Sequence, residues 1–221
     1  IFNSADTSVP AEQVLQILPV AINEQNWRIA KALIDRTDRN ALTLDQYGQF
    51  TLAELQYLNL SKDFANANKL LNSYELNSKL PFLKVADQVA LSLTRAETYY
   101  GLSRYLASAK ERIFIEGLID DSQLRETNTE RLWSTLLEIP KAQLENSLQR
   151  ATSNNERRWL ELALIYLDEN STIKDKKQQL ENWQQTWKTN LSSNFFNFGK
   201  LSSRQLTLPS VESLIKSRDA P

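Results

Sequence analysis

The chain of 221 residues contains no histidine and no cysteine. That removes thiol nucleophiles, Ser/His/Asp triads, imidazole acid–base chemistry and nearly every zinc or copper site. Glycine is scarce as well, at positions 48, 101, 117 and 199 only. A phosphate-cradling loop and a dinucleotide fingerprint are therefore excluded, and tight β-hairpins have little material. Neither sign of charge dominates, with 26 Lys and Arg against 27 Asp and Glu. Such a balance gives no sign of a nucleic-acid or anionic-membrane partner and favours a protein or a neutral polymer. No apolar run approaches the roughly 20 residues of a membrane span, and the first residues do not read as a signal peptide. Because the chain begins at Ile1 rather than Met, we expect a mature form or a fragment. The lack of cysteine suits periplasm and cytosol equally.

What the chain does have is a hydrophobic fraction of 41%, enough for a buried core in one or two domains, and a repeat. Residues 24 to 35 and 61 to 72 follow one pattern. Trp27 answers Phe64, Ala30 answers Ala67, Leu33 answers Leu70 and Ile34 answers Leu71, each pair 37 positions apart by residue number. A helical repeat of that period predicts a stacked solenoid, whose neighbouring units bury their faces on one another and offer one long surface to partners.

Apolar spacing is helical almost throughout, so the predicted fold is all-α: a superhelical, tetratricopeptide-like solenoid of about five antiparallel helix pairs. The first pair places Val14, Leu15, Leu18, Ala21 and Ile22 on one helix after Pro10, with Pro19 as a kink, and Ile29, Ala30, Leu33 and Ile34 on the next. The second starts at Thr43 as N-cap, runs through Leu52, Leu55 and Leu58, and returns from Phe64 to Tyr74. In the third, Phe82, Val85, Val89, Leu93, Ala96 and Tyr100 form a ladder that Gly101 breaks, and Leu106, Ala109 and Ile113 continue on the return helix. A fourth pair is read from about Thr129 to Ile139 and from Lys141 to Gln149, and a fifth from Trp159 to Tyr166 and from Ile173 to Trp187. The expected division is a helical repeat domain over residues 1–190 and a capping or linker segment over 191–221. That segment carries Phe195, Phe196, Phe198 and an apolar patch at Val211, Leu214 and Ile215.

Few residues suggest chemistry. Glu116 with Asp120 and Asp121 could be a carboxylate pair for hydrolysis, but reads better as a solvated turn. Trp183 and Trp187, four apart on one helix face, could stack on sugar rings and read better as core of the last pair. Tyr99, Tyr100 and Arg104, with Tyr105 beside them, are the candidate partner-binding residues. Lys174, Lys176 and Lys177, like Arg157 and Arg158, read as exposed helix faces balanced by nearby acids. No catalytic residue, cofactor or metal site is indicated.

The stretches from Asn23 to Ile34 and from Leu60 to Leu71, together with Trp159-Leu160-Glu161-Leu162 and Leu180 to Trp187, resemble the tetratricopeptide-like N-terminal domain of the LpoA family. These are outer-membrane lipoproteins that activate a class A penicillin-binding protein in Gram-negative bacteria. The likeness covers most of residues 10 to 190 and rests mainly on packing residues. It implies a periplasmic location, an upstream lipidated cysteine as the sole membrane attachment, and a following periplasmic-binding-protein-like domain to which activation is mainly assigned. Leu55 stands where the usual tetratricopeptide pattern has a small residue.

The function expected on these grounds is that of a non-catalytic, monomeric spacer and protein-interaction scaffold serving peptidoglycan synthesis. Its partner is a class A penicillin-binding protein, reached directly or through the following domain, with a contact to peptidoglycan left open. Helix axes pack roughly 8 to 10 Å apart, so five pairs span at most about 100 Å. Two alternatives stand beside it: the superhelical domain of a lytic transglycosylase, and a general peptide-binding repeat scaffold dependent on Arg95 or Arg104.

Overall fold

The computed structural model describes residues 9–194, and every regular element among them is helical. The expected capping residues Phe195, Phe196 and Phe198 and the Val211–Ile215 patch lie outside the described residues. The chain forms two compact units, residues 1–176 and 177–221, and each is taken by itself below.

The first unit opens with three antiparallel pairs. Helices α1 (Ala11–Asn23) and α2 (Trp27–Arg36) form one, and α3 (Leu44–Leu60) and α4 (Phe64–Leu71) the next. A short extra helix, α5 (Tyr74–Lys79), precedes the third pair, α6 (Val85–Gly101) and α7 (Tyr105–Ile115). Local signals set several of these ends. Thr43 and Gln46 complete a reciprocal capping box at the start of α3, and Asn26, Asp63 and Ser73 cap α2, α4 and α5 through their side chains. Helix α1 continues through Pro19 to Asn23.

Packing follows the repeat. Val14, Leu18, Ala30, Leu33 and Phe50 form the first buried cluster, with Trp27 packed against it. Tyr47, Leu55, Ala67, Leu71, Leu76, Leu83 and Leu91 form the second, flanked by Leu70. Full burial of a side chain such as Leu55 contributes about 1.5–3 kcal/mol. Ala30 and Ala67 are completely buried, a small side chain where two helices approach closely. Several expected core residues lie outside these clusters: Ile29 is 42% exposed, Val85 60% and Phe82 73%. Phe82 ends a 3-10 turn and Val85 begins α6, so both sit at the connector before the helix where the core ladder starts.

One backbone device recurs in all three pairs. Gln25, Lys62 and Ser103 occupy the left-handed region at φ of 56°, 62° and 57°. Each donates its N–H three residues back, to Ile22, Asn59 and Tyr100, while the following N–H reaches Ala21, Leu58 and Tyr99. These paired bonds close the C-terminus of the outgoing helix and aim the chain into the return helix. An aromatic residue follows two positions on each time: Trp27, Phe64, Tyr105.

The three turns are 37 and 41 positions apart by residue number. Helix α5, inserted in the second connector, carries the third copy out of the 37-residue register. Its composition also departs. Where the first two copies have Leu33-Ile34 and Leu70-Leu71, the third has Glu111-Arg112. Both are ion-paired across to α6, Glu111 with Arg95 at 3.6 Å and Arg112 with Glu97. Arg112 also donates to Asn128, whose amide returns a bond to the Arg112 carbonyl at 3.2 Å. Burial lowers the Arg112 pKa against the opposing pull of Glu97 and raises that of Glu111 against Arg95.

Helices α8 (Ser122–Leu137), α9 (Lys141–Arg150) and α10 (Asn154–Leu167) complete the first unit, with the first residues of α11 (Ile173–Asn194). The expected fourth pair exists as two helices, but α8 packs on α7 while α9 packs on α10, and α8 and α9 barely touch. Helix α8 also starts earlier than expected, because Asp121 caps it by accepting from the Leu124 N–H at 2.7 Å. In the second unit α11 runs on to Asn194, and the side chains of Trp183 and Trp187 are buried.

Candidate functional site

The sequence-predicted binding residues gather at the turn between α6 and α7. Arg104 is the exposed residue at the start of α7, held there by the left-handed Ser103. Tyr100 is 38% exposed and meets the edge of Tyr105 at a centroid distance of 5.2 Å. Tyr99 is half-buried. Beside them the Phe64 ring covers Gly101, where an added Cβ would stand 2.4 Å from ring carbons. Tyr100 and Arg104 thus face solvent on the turn edge, whereas Arg95 is committed to Glu111.

Other exposed apolar side chains fall where one pair connects to the next, at the starts of α3, α5 and α6 and just at and beyond the end of α7. There Tyr74 is 89% exposed, Phe82 73%, Phe114 72%, Val85 60%, Leu118 45% and Leu44 39%. Contacts beneath draw these positions to one edge. Lys84 bonds Asp45 at 2.6 Å, joining the starts of α6 and α3. Lys79 of α5 lies over the Tyr47 ring at 3.8 Å, and Val89 packs with Ile115 and Ile119. Exposed large side chains in one neighbourhood are the ordinary mark of a protein contact. The sequence reading missed this edge by assigning Phe82 and Val85 to a helical core ladder. Pro81, which places Phe82 in a connector turn and Val85 at the very start of α6, was the signal available.

Charges on this edge cancel locally, Lys84 with Asp45 and Lys79 with Glu75 at 2.9 Å. Deeper carboxylates are engaged as well. Glu54 accepts two bonds from Arg39 at 2.5 and 2.6 Å, yet burial outweighs that attraction and raises its pKa. Glu116 is the main correction to the sequence reading. It does not share a solvated turn with Asp120 and Asp121: its side chain is 11% exposed and that of Arg158 is 7%. The Glu116 carboxylate accepts from Asn155 at 2.9 Å, from Arg158 at 3.1 Å and from the Trp159 indole at 2.9 Å. Arg158, expected on an exposed face, is thus a buried partner. Among the described residues no cluster of acidic side chains suits a metal ion, and no helix is long and apolar enough to cross a membrane.

A family model described as "LppC putative lipoprotein" matches residues 2–197. The chain belongs to the LppC family. Among curated relatives of this LppC chain, the penicillin-binding protein activator LpoA of Vibrio cholerae serotype O1 is 26% identical over 185 residues, covering 81% of this chain and 29% of the relative. The protein of the same name from Aliivibrio fischeri is 27% identical over 180 residues, covering 81% and 28%. The chain therefore spans less than a third of the length of these relatives. Among solved structures, the LpoA N-terminal domain from Haemophilus influenzae matches with a TM-score of 0.63 at 19% identity, over 84% of this chain and 83% of that one. The E. coli LpoA amino-terminal domain matches with a TM-score of 0.62 at 20% identity, over 84% and 79%. The LppC chain shares the fold of these domains, and the resemblance drawn from its two repeated stretches is borne out.

Proposed function

We propose that this chain is the non-catalytic N-terminal module of a lipid-anchored periplasmic protein that activates peptidoglycan synthesis by a class A penicillin-binding protein. The observation that carries this reading is the alignment of 81% of the chain with proteins named as penicillin-binding protein activators. The chain's chemistry agrees with it. It has no histidine or cysteine, and among the described residues Glu54, Glu97, Glu111 and Glu116 are held in ion pairs, which supports a role through contact surfaces. In this reading residues 1–190 are the repeat domain, and residues 191–221 lead toward a further domain that makes the main contact with the synthase. The module acts as a monomeric spacer and scaffold on the periplasmic side of the outer membrane, attached through a lipid upstream of Ile1. Protein contact falls to the connector edge around Tyr74, Phe82 and Phe114, with Tyr100 and Arg104 on the turn edge as a second patch.

Cross-linking by the purified class A penicillin-binding protein of the same organism tests this, with this chain in excess and separately with a longer protein that includes the following domain. The longer protein is expected to stimulate and the isolated chain is not. Stimulation by the isolated chain would overturn the spacer role. Failure of both would overturn the activator reading. In the longer protein, Phe82→Ser with Phe114→Ser should weaken stimulation while Leu124→Ser should not, and equal effects would remove the connector edge from the reading.

A further inference from the structure

Helices α9 and α10 are stapled to each other at both ends. Lys141 at the start of α9 bonds Asp168, just beyond α10, at 3.3 Å. Ser147 donates to Glu156 near the opposite end at 3.5 Å. The pair is joined to α8 by the three residues 138–140; α9 makes almost no contact with α8, and the pair is seated on α7 and α8 through α10. Helix α8, by contrast, is tied to α7 by the reciprocal Arg112–Asn128 bonds, and to the connector before it by Arg125 donating to the Ile119 carbonyl.

The polar contacts that bind the α9–α10 body to the rest converge on the start of α10. Glu116, in the 3-10 turn after α7, takes bonds from Asn155, Arg158 and Trp159 within the first two turns. Asn155 donates also to the Ile113 carbonyl at 3.0 Å, and Lys110 pairs with Glu156 at 2.9 Å. Farther along α10, Tyr166 meets the edge of Trp133 at 5.3 Å between centroids. Among these contacts the Glu116 carboxylate is the one buried among three donors of α10, and removing it takes this partner's charge from the buried Arg158.

We infer that α9 and α10 open together from the α6–α8 body about residues 138–140, and that the Glu116 carboxylate is the latch holding them shut. The open state exposes Arg158 and Trp159, which the closed state buries, so the same chain presents two different faces beside α7. Units that open below global unfolding coincide with supersecondary motifs of this kind.

Native-state hydrogen exchange on the full 221-residue chain tests the inference. In the wild type, amides of residues 141–167 should exchange through an opening with its own shallow urea dependence, distinct from that of residues 44–60 and 85–113. In Glu116→Gln, exchange over 141–167 should accelerate about tenfold or more while the other two ranges change less than about twofold. Should Glu116→Gln fail to fold, the wild-type urea series still decides. A single opening isotherm shared by all three ranges, or a uniform acceleration in the variant, would overturn the latch.

Discussion

The ring of Phe64 lies against the backbone of Gly101, at the point where a methyl group would stand 2.4 to 2.5 Å from three ring carbons. Phe64 begins the return helix of the second pair and Gly101 ends the first helix of the third, so this contact seats one repeat on the next. Gly101→Ala gains about 1 kcal/mol of helix propensity but drives a rigid, half-buried ring out of place, a cost of about 1–3 kcal/mol. The net expectation is destabilisation by about 1 kcal/mol in urea titration. Phe64→Leu should reduce that penalty in the double variant, and strict additivity of the two changes would count against the contact.

Gln25, Lys62 and Ser103 hold left-handed backbone without being glycine. A Cβ in that conformation costs roughly 1–2 kcal/mol, offset partly by glycine's greater loss of chain entropy. Comparing Lys62→Gly with Lys62→Ala removes the exposed side chain from both. The glycine variant is expected to be the more stable by about 1 kcal/mol, read from the denaturation midpoint, and an alanine variant of equal stability would contradict the turn geometry.

Glu54 gives the fold a pH dependence opposite to the common one. Burial raises its carboxyl pKa above the ordinary 4.5 despite Arg39. A carboxyl whose pKa is higher folded than unfolded binds more protons in the folded state, so its contribution is full below about 4.5 and is lost as pH rises through the folded value. Glu111 behaves in the same sense, for the same reason. Relative to the wild type, Glu54→Gln should therefore be more favourable at pH 7 than at pH 4 when urea midpoints are compared. A wild type that gains on the variant over that interval would mean the Arg39 pair outweighs burial.

The connector edge should be dispensable for folding. Phe82 and Tyr74 are largely exposed, and surface changes of this kind shift stability by about 0.5 kcal/mol or less. Phe82→Ser and Tyr74→Ser are expected to leave the thermal midpoint nearly unchanged, whereas Leu76→Ser, two residues from Tyr74 but completely buried, should unfold the chain at markedly lower temperature. Equal losses at all three would show that the edge is core.

What the sequence determined by itself was local and periodic. Trp27, Ala30 and Leu33 answer Phe64, Ala67 and Leu70 because the same helix faces meet the same kind of neighbour, and that regularity pointed to an all-helical, paired architecture; the family came from the likeness of those stretches and of residues 159–162 and 180–187 to known members. The capped start of α3 at Thr43 was legible too, since a cap needs only residues within one turn. The tertiary structure alone decided the rest. The third copy was legible as a helix pair but only weakly as a repeat, because α5 shifts its register and because Glu111-Arg112 replaces an apolar pair where Arg95 and Glu97 stand opposite. Phe82 and Val85 fit a core ladder by spacing, yet among the described residues they stay 73% and 60% exposed in the connector and at the start of α6. Glu116 looked like a turn acid beside Asp120 and Asp121 until α10 brought Asn155, Arg158 and Trp159 to it from about 40 residues away. Periodicity reports which face of a helix is apolar, but whether a charge is buried depends on which distant donors the fold delivers to it.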